Sequence, residues 1–96
     1  MVERILLIQG RLGLHARAAA KLVRVASGFQ SQVLLRRVEG NVTADAKSIL
    51  SVLMLAASRG TQLQASAIGV DEEAAMAAIE QLFAEGFGEA APESSL

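Results

Sequence analysis

Apolar and polar residues alternate without a break from Gln62 to Ala67, within the segment 61–68. The apolar positions are Leu63, Ala65 and Ala67, and the polar ones are Gln62, Gln64 and Ser66. A period of two residues is typical of a β-strand that buries one face and exposes the other. The segment is therefore predicted to be a half-exposed strand in a sheet.

Short strand-like and helix-like segments alternate along the rest of the chain. The predicted strands cover residues 5–8, 32–37 and 41–44, and the last two form a hairpin around Glu39-Gly40. The predicted helices cover residues 16–26, residues 47–58, and a segment that starts at the N-cap Asp71 and stops at Gly86. The order is βαββαβα. It predicts an α+β open-faced sandwich, with a four-stranded antiparallel sheet covered on one face by three helices.

The chain length favours a single domain. Ninety-six residues are close to the size at which one core supports a fold. We expect the domain to cover residues 1–88, with residues 89–96 as a flexible C-terminal tail that holds the only proline.

Composition removes several function classes. The chain has no Cys and one His, which argues against disulfides, thiol chemistry and a zinc site, so no metal and no cofactor are expected. The three Phe are its only aromatic rings apart from that His, and the net charge is -1, so nothing favours nucleic acid or an anionic membrane. The start of the chain lacks a signal-peptide pattern, and no apolar run is long enough to span a membrane. We therefore expect a cytoplasmic location.

The only histidine lies where a glycine-containing loop meets the first predicted helix, in the stretch Gly13-Leu14-His15-Ala16-Arg17. A helix N-terminus offers unpaired N–H groups and the positive end of the helix dipole, which favour phosphate. The same dipole disfavours imidazolium, so His15 is expected to be neutral and nucleophilic. Arg17 could neutralise phosphate oxygens, and the backbone of Ala16, Arg17 and Ala18 could bind them. The alternative is a weak N-cap or an ordinary surface histidine.

Two neighbouring surfaces suggest protein docking. Arg17, Lys21 and Arg24 form one basic stripe on the first helix, which is either a solvated face or a docking surface for an acidic partner. In the second helix the apolar arc is wider than core burial needs, so part of it should be exposed unless the helix is deeply buried. The candidate docking residues are Lys21, Arg24, Ile49, Leu50 and Leu53.

The motif around His15, followed by Ala19-Ala20 and by Lys47-Ser48-Ile49, resembles the HPr family of bacterial phosphotransferase systems. The resemblance covers residues 2–87. The chain is similar to the nitrogen-related branch of that family through four further segments: Gly28-Phe29, residues 33–36, residues 53–55 and residues 85–87.

The resemblance implies a phosphocarrier whose His15 is phosphorylated on Nδ1 by enzyme I and passes the group to an EIIA-type protein. We expect the chain to be a monomer. Phosphoenolpyruvate would be the ultimate donor. Arg17 would be the charge partner, while Arg24, Leu50 and Leu53 would contact the partners. Ser48 falls where an HPr kinase/phosphorylase modifies some relatives, although a helix-capping serine explains the same residue.

Most relatives have proline where this chain has Ala18. The change should preserve the helix, because proline in the first turn costs no hydrogen bond.

The competing function is an HPr-like regulator that transfers no phosphoryl group and binds an effector through the first two helices. The presence of His15 and Arg17 argues against it.

Overall fold

Four strands form one antiparallel sheet in a computed structural model that describes residues 1–88. The strands are β1 (Val2–Leu7), β2 (Gln32–Arg37), β3 (Thr43–Asp45) and β4 (Gln62–Ile68). The helices are α1 (Ala16–Ser27), α2 (Ile49–Leu53) and α3 (Glu72–Ala84), followed by a short 3-10 turn at Gly86–Gly88. The strand order is β1-β4-β2-β3, so the two central strands are β4 and β2. The predicted tail at 89–96 lies outside the described residues.

Burial in β4 follows the period-two pattern. Leu63, Ala65 and Ala67 are fully buried, whereas their polar neighbours are exposed or half-buried. The inner face of the sheet packs against apolar side chains of α1 and α3, among them Leu22 and Ile79. The predicted α+β open-faced sandwich is therefore confirmed.

The second helix is much shorter than predicted. The pattern indicated a helix over residues 47–58, but α2 ends at Leu53 and Ala56 has a positive φ of 50°. Two carbonyl groups beyond α2 accept long-range hydrogen bonds. Arg37 Nη1 donates to the Leu55 oxygen at 3.1 Å, and the Leu14 N–H donates to the Ala57 oxygen at 2.8 Å. The segment after α2 therefore leaves the helical path and is tied to β2 and to the loop before α1.

Asp71 directly precedes α3, as predicted, but its side chain makes no capping hydrogen bond. Its carboxylate instead accepts from the N–H of Gln30 at 2.8 Å and from the N–H and hydroxyl of the buried Ser31. Glu72 accepts from the N–H of Gly69 at 3.0 Å. Asp71 thus joins the start of α3 to the turn before β2.

No helix in the described part of the chain is long and apolar enough to cross a membrane. Among residues 1–88 no group of His, Asp and Glu side chains is arranged to hold a metal ion.

Candidate functional site

His15 is the N-cap residue of α1, at the loop-to-helix junction that the sequence indicated. Its backbone is extended, with φ -77° and ψ -177°, and its carbonyl accepts from the Ala19 N–H at 2.8 Å. The ring is half-buried, and its Nδ1 accepts a hydrogen bond from the Arg17 N–H at 3.3 Å. A ring nitrogen that accepts a hydrogen bond carries its lone pair rather than a proton. Nδ1 therefore points its lone pair at the N-terminus of α1.

The position of His15 depends on a close approach between two loops. Gly13 has a φ of +67°, and a Cβ atom there would lie 2.7 Å from the Ala57 oxygen and 2.9 Å from the Ser58 Cα. Neither the dihedral angle nor the space suits another residue. The loop after α2 thus supports the loop that carries His15, which the sequence alone did not reveal.

The first turn of α1 has the features of an anion site. It contains no acidic residue, and Arg17 is exposed. Within the described residues, no acceptor bonds to the N–H groups of Ala16 and Ala18. Unpaired N–H groups and the positive end of the helix dipole together favour an oxyanion. The Ala18 side chain is fully buried and leaves the helix intact, as expected for this replacement of proline.

Helix α2 exposes a broad apolar surface. Leu50 and Met54 are 68% and 70% exposed, and Ile49 and Leu53 are also exposed, whereas Val52 is buried. The exposed part of the predicted arc is therefore present, and it includes Met54, which was not among the candidate docking residues. Leu12, in the loop before His15, is 66% exposed and was also missed. A large apolar residue between Arg11 and Gly13 in a polar loop was the available signal.

The basic stripe is divided between two roles. Arg17 and Arg24 are exposed, but Lys21 is half-buried and its Nζ donates to the Phe87 oxygen at 2.7 Å. Phe87 has a positive φ of 57° and packs against Phe83, with ring centroids 5.0 Å apart and ring planes tilted by 59°. Lys21 therefore fastens the 3-10 turn to α1, and we leave it out of the candidate docking surface.

Ser48 caps α2. Its hydroxyl accepts from the Ser51 N–H at 3.3 Å, and the side chain is half-buried. The capping role considered for this serine is thus present, while its phosphorylation stays a prediction.

The fold and this site define a small α+β domain that presents a histidine nitrogen at an open helix N-terminus, beside an exposed apolar surface. A family model described as "PTS HPr component phosphorylation site" matches residues 2–85. The chain belongs to the HPr family and is a phosphocarrier protein of the phosphotransferase system, which transfers phosphoryl groups. Membership implies enzyme I and EIIA proteins as the class of partners.

Similar proteins come from several bacteria. The phosphocarrier protein NPr of Escherichia coli K12 is 45% identical over 82 residues, which cover 85% of this chain and 90% of that protein. The phosphocarrier protein HPr of Xylella fastidiosa 9a5c is 46% identical over 89 residues, which cover 93% and 98%. A crystal structure of HPr from Thermoanaerobacter tengcongensis is 40% identical, with a TM-score of 0.87 over 93% of this chain and 98% of that one. The HPr and NPr identities are about equal, so they do not separate the two branches.

Proposed function

We propose that His15 is the residue that carries the phosphoryl group, accepting it on Nδ1 from enzyme I and passing it to an EIIA-type protein. The observation that supports this most is the orientation of Nδ1 toward the first-turn N–H groups of α1. A nucleophile and an oxyanion site share one helix end, so the product of the transfer is bound where it forms.

The transfer exchanges one bond to phosphorus for another. The Nδ1 lone pair attacks phosphorus, and the bond between phosphorus and the donor atom of enzyme I breaks, its electron pair returning to the donor. The hydrogen bond from the Arg17 N–H to Nδ1 is lost in this step. At 3.3 Å it lies beyond the usual range of 2.7–3.2 Å and costs little to break. The same N–H then donates to a phosphoryl oxygen.

Arg17 contributes its side chain as well as its N–H group. The guanidinium is exposed in the first turn and offers paired donors to phosphoryl oxygens. Hydrogen bonds from the charged Arg17 side chain stabilise the transferred phosphoryl group. The group stays accessible, because Arg17 lies at the protein surface. Accessibility is essential for a carrier, since the second protein must reach the same phosphorus atom.

Intact-mass measurement after incubation with enzyme I and phosphoenolpyruvate tests the proposal. We expect one phosphoryl group, labile in acid and stable in base, on the wild-type chain and none on His15→Ala. Because the chain has a single histidine, any phosphohistidine must be His15. A folded His15→Ala protein that gains an acid-labile phosphoryl group from enzyme I would rule His15 out.

The partner surface is proposed to combine Arg24 with Ile49, Leu50 and Leu53 on α2, together with Leu12 and Met54. The apolar side chains are exposed, and α1 and α2 pack against each other. A large apolar surface beside exposed cations is typical of a transient protein interface.

Two substitutions separate the charged and apolar parts of this surface. Arg24→Glu should slow transfer most at low salt, because exposed interface charges govern association rate. Leu50→Ala should weaken affinity with little change in salt dependence. Val70→Ala is the matched control, since Val70 is 85% exposed just before α3, outside the proposed surface. Wild-type transfer by both surface variants would remove the surface from the proposal.

A further inference from the structure

A cleft of about 380 Å³ opens where β2 ends and β4 begins. Arg37, Arg59 and Thr61 contribute to its wall, with Leu7 and Val38 as apolar neighbours and Glu39 as its only acidic residue. None of His15, Ala16, Arg17 and Ala18 lines it. Small-molecule sites in proteins have volumes of roughly 300–1,000 Å³ and combine apolar walls with a few converging polar groups. The cleft has the size and composition of such a site.

The charge of the cleft favours an anion. Two guanidinium groups face one carboxylate, and within residues 1–88 no ion pair joins Glu39 to either arginine. Arg59 is exposed, and its side chain has no hydrogen-bond or ion-pair partner in the described part of the chain. An arginine without a carboxylate partner retains the full set of donors that match a carboxylate or a phosphate.

Arg37 is already held in place on one side. It is half-buried, and Nη1 donates to the Leu55 oxygen at 3.1 Å. Its Nε is buried and has no partner within the described residues. Its Nη2 is not buried and makes no hydrogen bond within the described residues, so it can donate to an oxyanion in the cleft.

The turn between α2 and β4 supplies one more donor. The Thr61 oxygen Oγ1 accepts from the Ser58 N–H at 3.2 Å, which leaves the hydroxyl proton for another acceptor. The Gly60 N–H donates to the Ile8 oxygen at 2.8 Å and the Ile8 N–H donates to the Thr61 oxygen at 3.0 Å. This side of the cleft is therefore rigidly attached to the end of β1.

We propose that the cleft binds a small molecule with a doubly charged oxyanion group, a phosphate monoester or a dicarboxylate. The guanidinium groups of Arg37 and Arg59 hold the oxyanion, and the Thr61 hydroxyl donates a further hydrogen bond. Two cations favour a dianion over a single carboxylate, because each added charge pair contributes its own Coulomb attraction. This site is separate from the helix N-terminus at His15 and does not depend on phosphotransfer.

Titration of the ¹⁵N-labelled full chain with glycerol 3-phosphate and, separately, with malonate tests the proposal. Saturable shifts are expected at the amides of Arg59, Gly60 and Thr61 with at least one of the two anions, and none with glycerol. The anion that binds identifies the phosphate or the dicarboxylate as the ligand class. Arg59→Gln should weaken binding about tenfold or more, which is the effect of losing one charge-assisted contact.

Arg4→Gln is the matched control, because it removes the same charge from an arginine outside the cleft that pairs with Glu80. It should bind as the wild type does. The proposal fails if neither anion produces saturable shifts, if the shifts centre on the amides of Ala16 to Ala18, or if Arg59→Gln and Arg4→Gln change the affinity equally.

Discussion

The starts of α1 and α3 use the positive end of a helix in opposite ways. Helix α3 begins with Glu72 and Glu73, and the Glu72 carboxylate folds back onto the Gly69 N–H. Helix α1 has no acidic residue in its first turn, and the His15 ring nitrogen Nδ1 supplies its side-chain cap. Acidic residues near a helix N-terminus stabilise it, so the first turn of α3 favours stability. The first turn of α1 lacks that stabilisation and keeps N–H groups for an incoming anion.

An absence of acidic residues at a helix start can therefore be functional. A carboxylate in the first turn of α1 would compensate the helix dipole permanently, and a phosphoryl group on His15 would then meet a like charge. If His15 carries the phosphoryl group as proposed, the open helix start of α1 is a condition for reversible loading. Substitutions at the three helix starts should therefore change stability and phosphotransfer separately.

Ala16→Glu gives α1 the first residue of α3, since Ala16 and Glu72 occupy the same position in their helices. Ala16 is exposed, so the side chain fits. We expect the free energy of unfolding to stay the same or rise by about 0.3–1 kcal/mol. Phosphorylation by enzyme I should slow about tenfold or more, because the carboxylate repels the phosphoryl group. Rapid-quench kinetics and thermal unfolding measure the two effects.

Ala16→Gln is the control for side-chain size at that position and should load at nearly the wild-type rate. Equal slowing by Ala16→Gln and Ala16→Glu would mean that shape, rather than charge, matters at the start of α1.

Ser48→Asp adds a charge at a third helix start, that of α2. Aspartate is as good an N-cap as serine, so the melting temperature should stay close to that of the wild type. The charge lies beside the exposed Ile49 and Leu50, and a partner must desolvate it or face it with acidic groups. We expect transfer to slow about threefold to tenfold. Unfolding of Ser48→Asp would show that Ser48 is mainly structural, and a wild-type rate would place it outside the partner surface.

Asp71→Asn changes stability and leaves transfer alone. Hydrogen bonds from the Ser31 hydroxyl and then from the Gln30 N–H hold the pKa of Asp71 below its ordinary value. A lowered pKa in the folded state means that the ionised form stabilises the fold. This contribution is present above the unfolded pKa of about 3.9 and is lost as the pH falls through the lower folded value. Asp71→Asn should therefore melt at a lower temperature than wild type at pH 7.

Melting temperatures between pH 7 and pH 3 measure this difference. The gap between wild type and Asp71→Asn should narrow below about pH 4. The pKa of Glu72 is also lowered, first by the Gly69 N–H, so both proteins should keep some acid sensitivity. A difference in melting temperature that stays constant with pH would show that the Asp71 charge contributes nothing to folding. Slower phosphorylation of Asp71→Asn at pH 7 would show that the start of α3 affects the site at the start of α1.

Local patterns predicted the elements and the position of His15 well. Alternation in β4 and the loop-to-helix junction before α1 depend on residues near in sequence, and both are present. Long-range hydrogen bonds account for the differences. The segment after Leu53 leaves the helical path at Ala56 and is held by bonds from Arg37 and Leu14, and Asp71 binds Ser31 rather than capping α3.

The candidate surface shows the same division. The spacing correctly placed Arg17, Lys21 and Arg24 on one helix face. It could not reveal that Lys21 donates a hydrogen bond to the Phe87 carbonyl, 66 positions further along the chain. Exposure of Leu12 was likewise invisible, because a loop has no period from which burial can be inferred.

NMR of the phosphorylated protein, labelled with ¹⁵N, tests the role of the open helix start most directly. We predict ³¹P–¹⁵N coupling to Nδ1 of His15, with the largest amide shifts at Ala16, Arg17 and Ala18 as their N–H groups bind phosphoryl oxygens. Coupling to Nε2, or phosphorylation on Nδ1 without shifts at these three amides, would contradict the account.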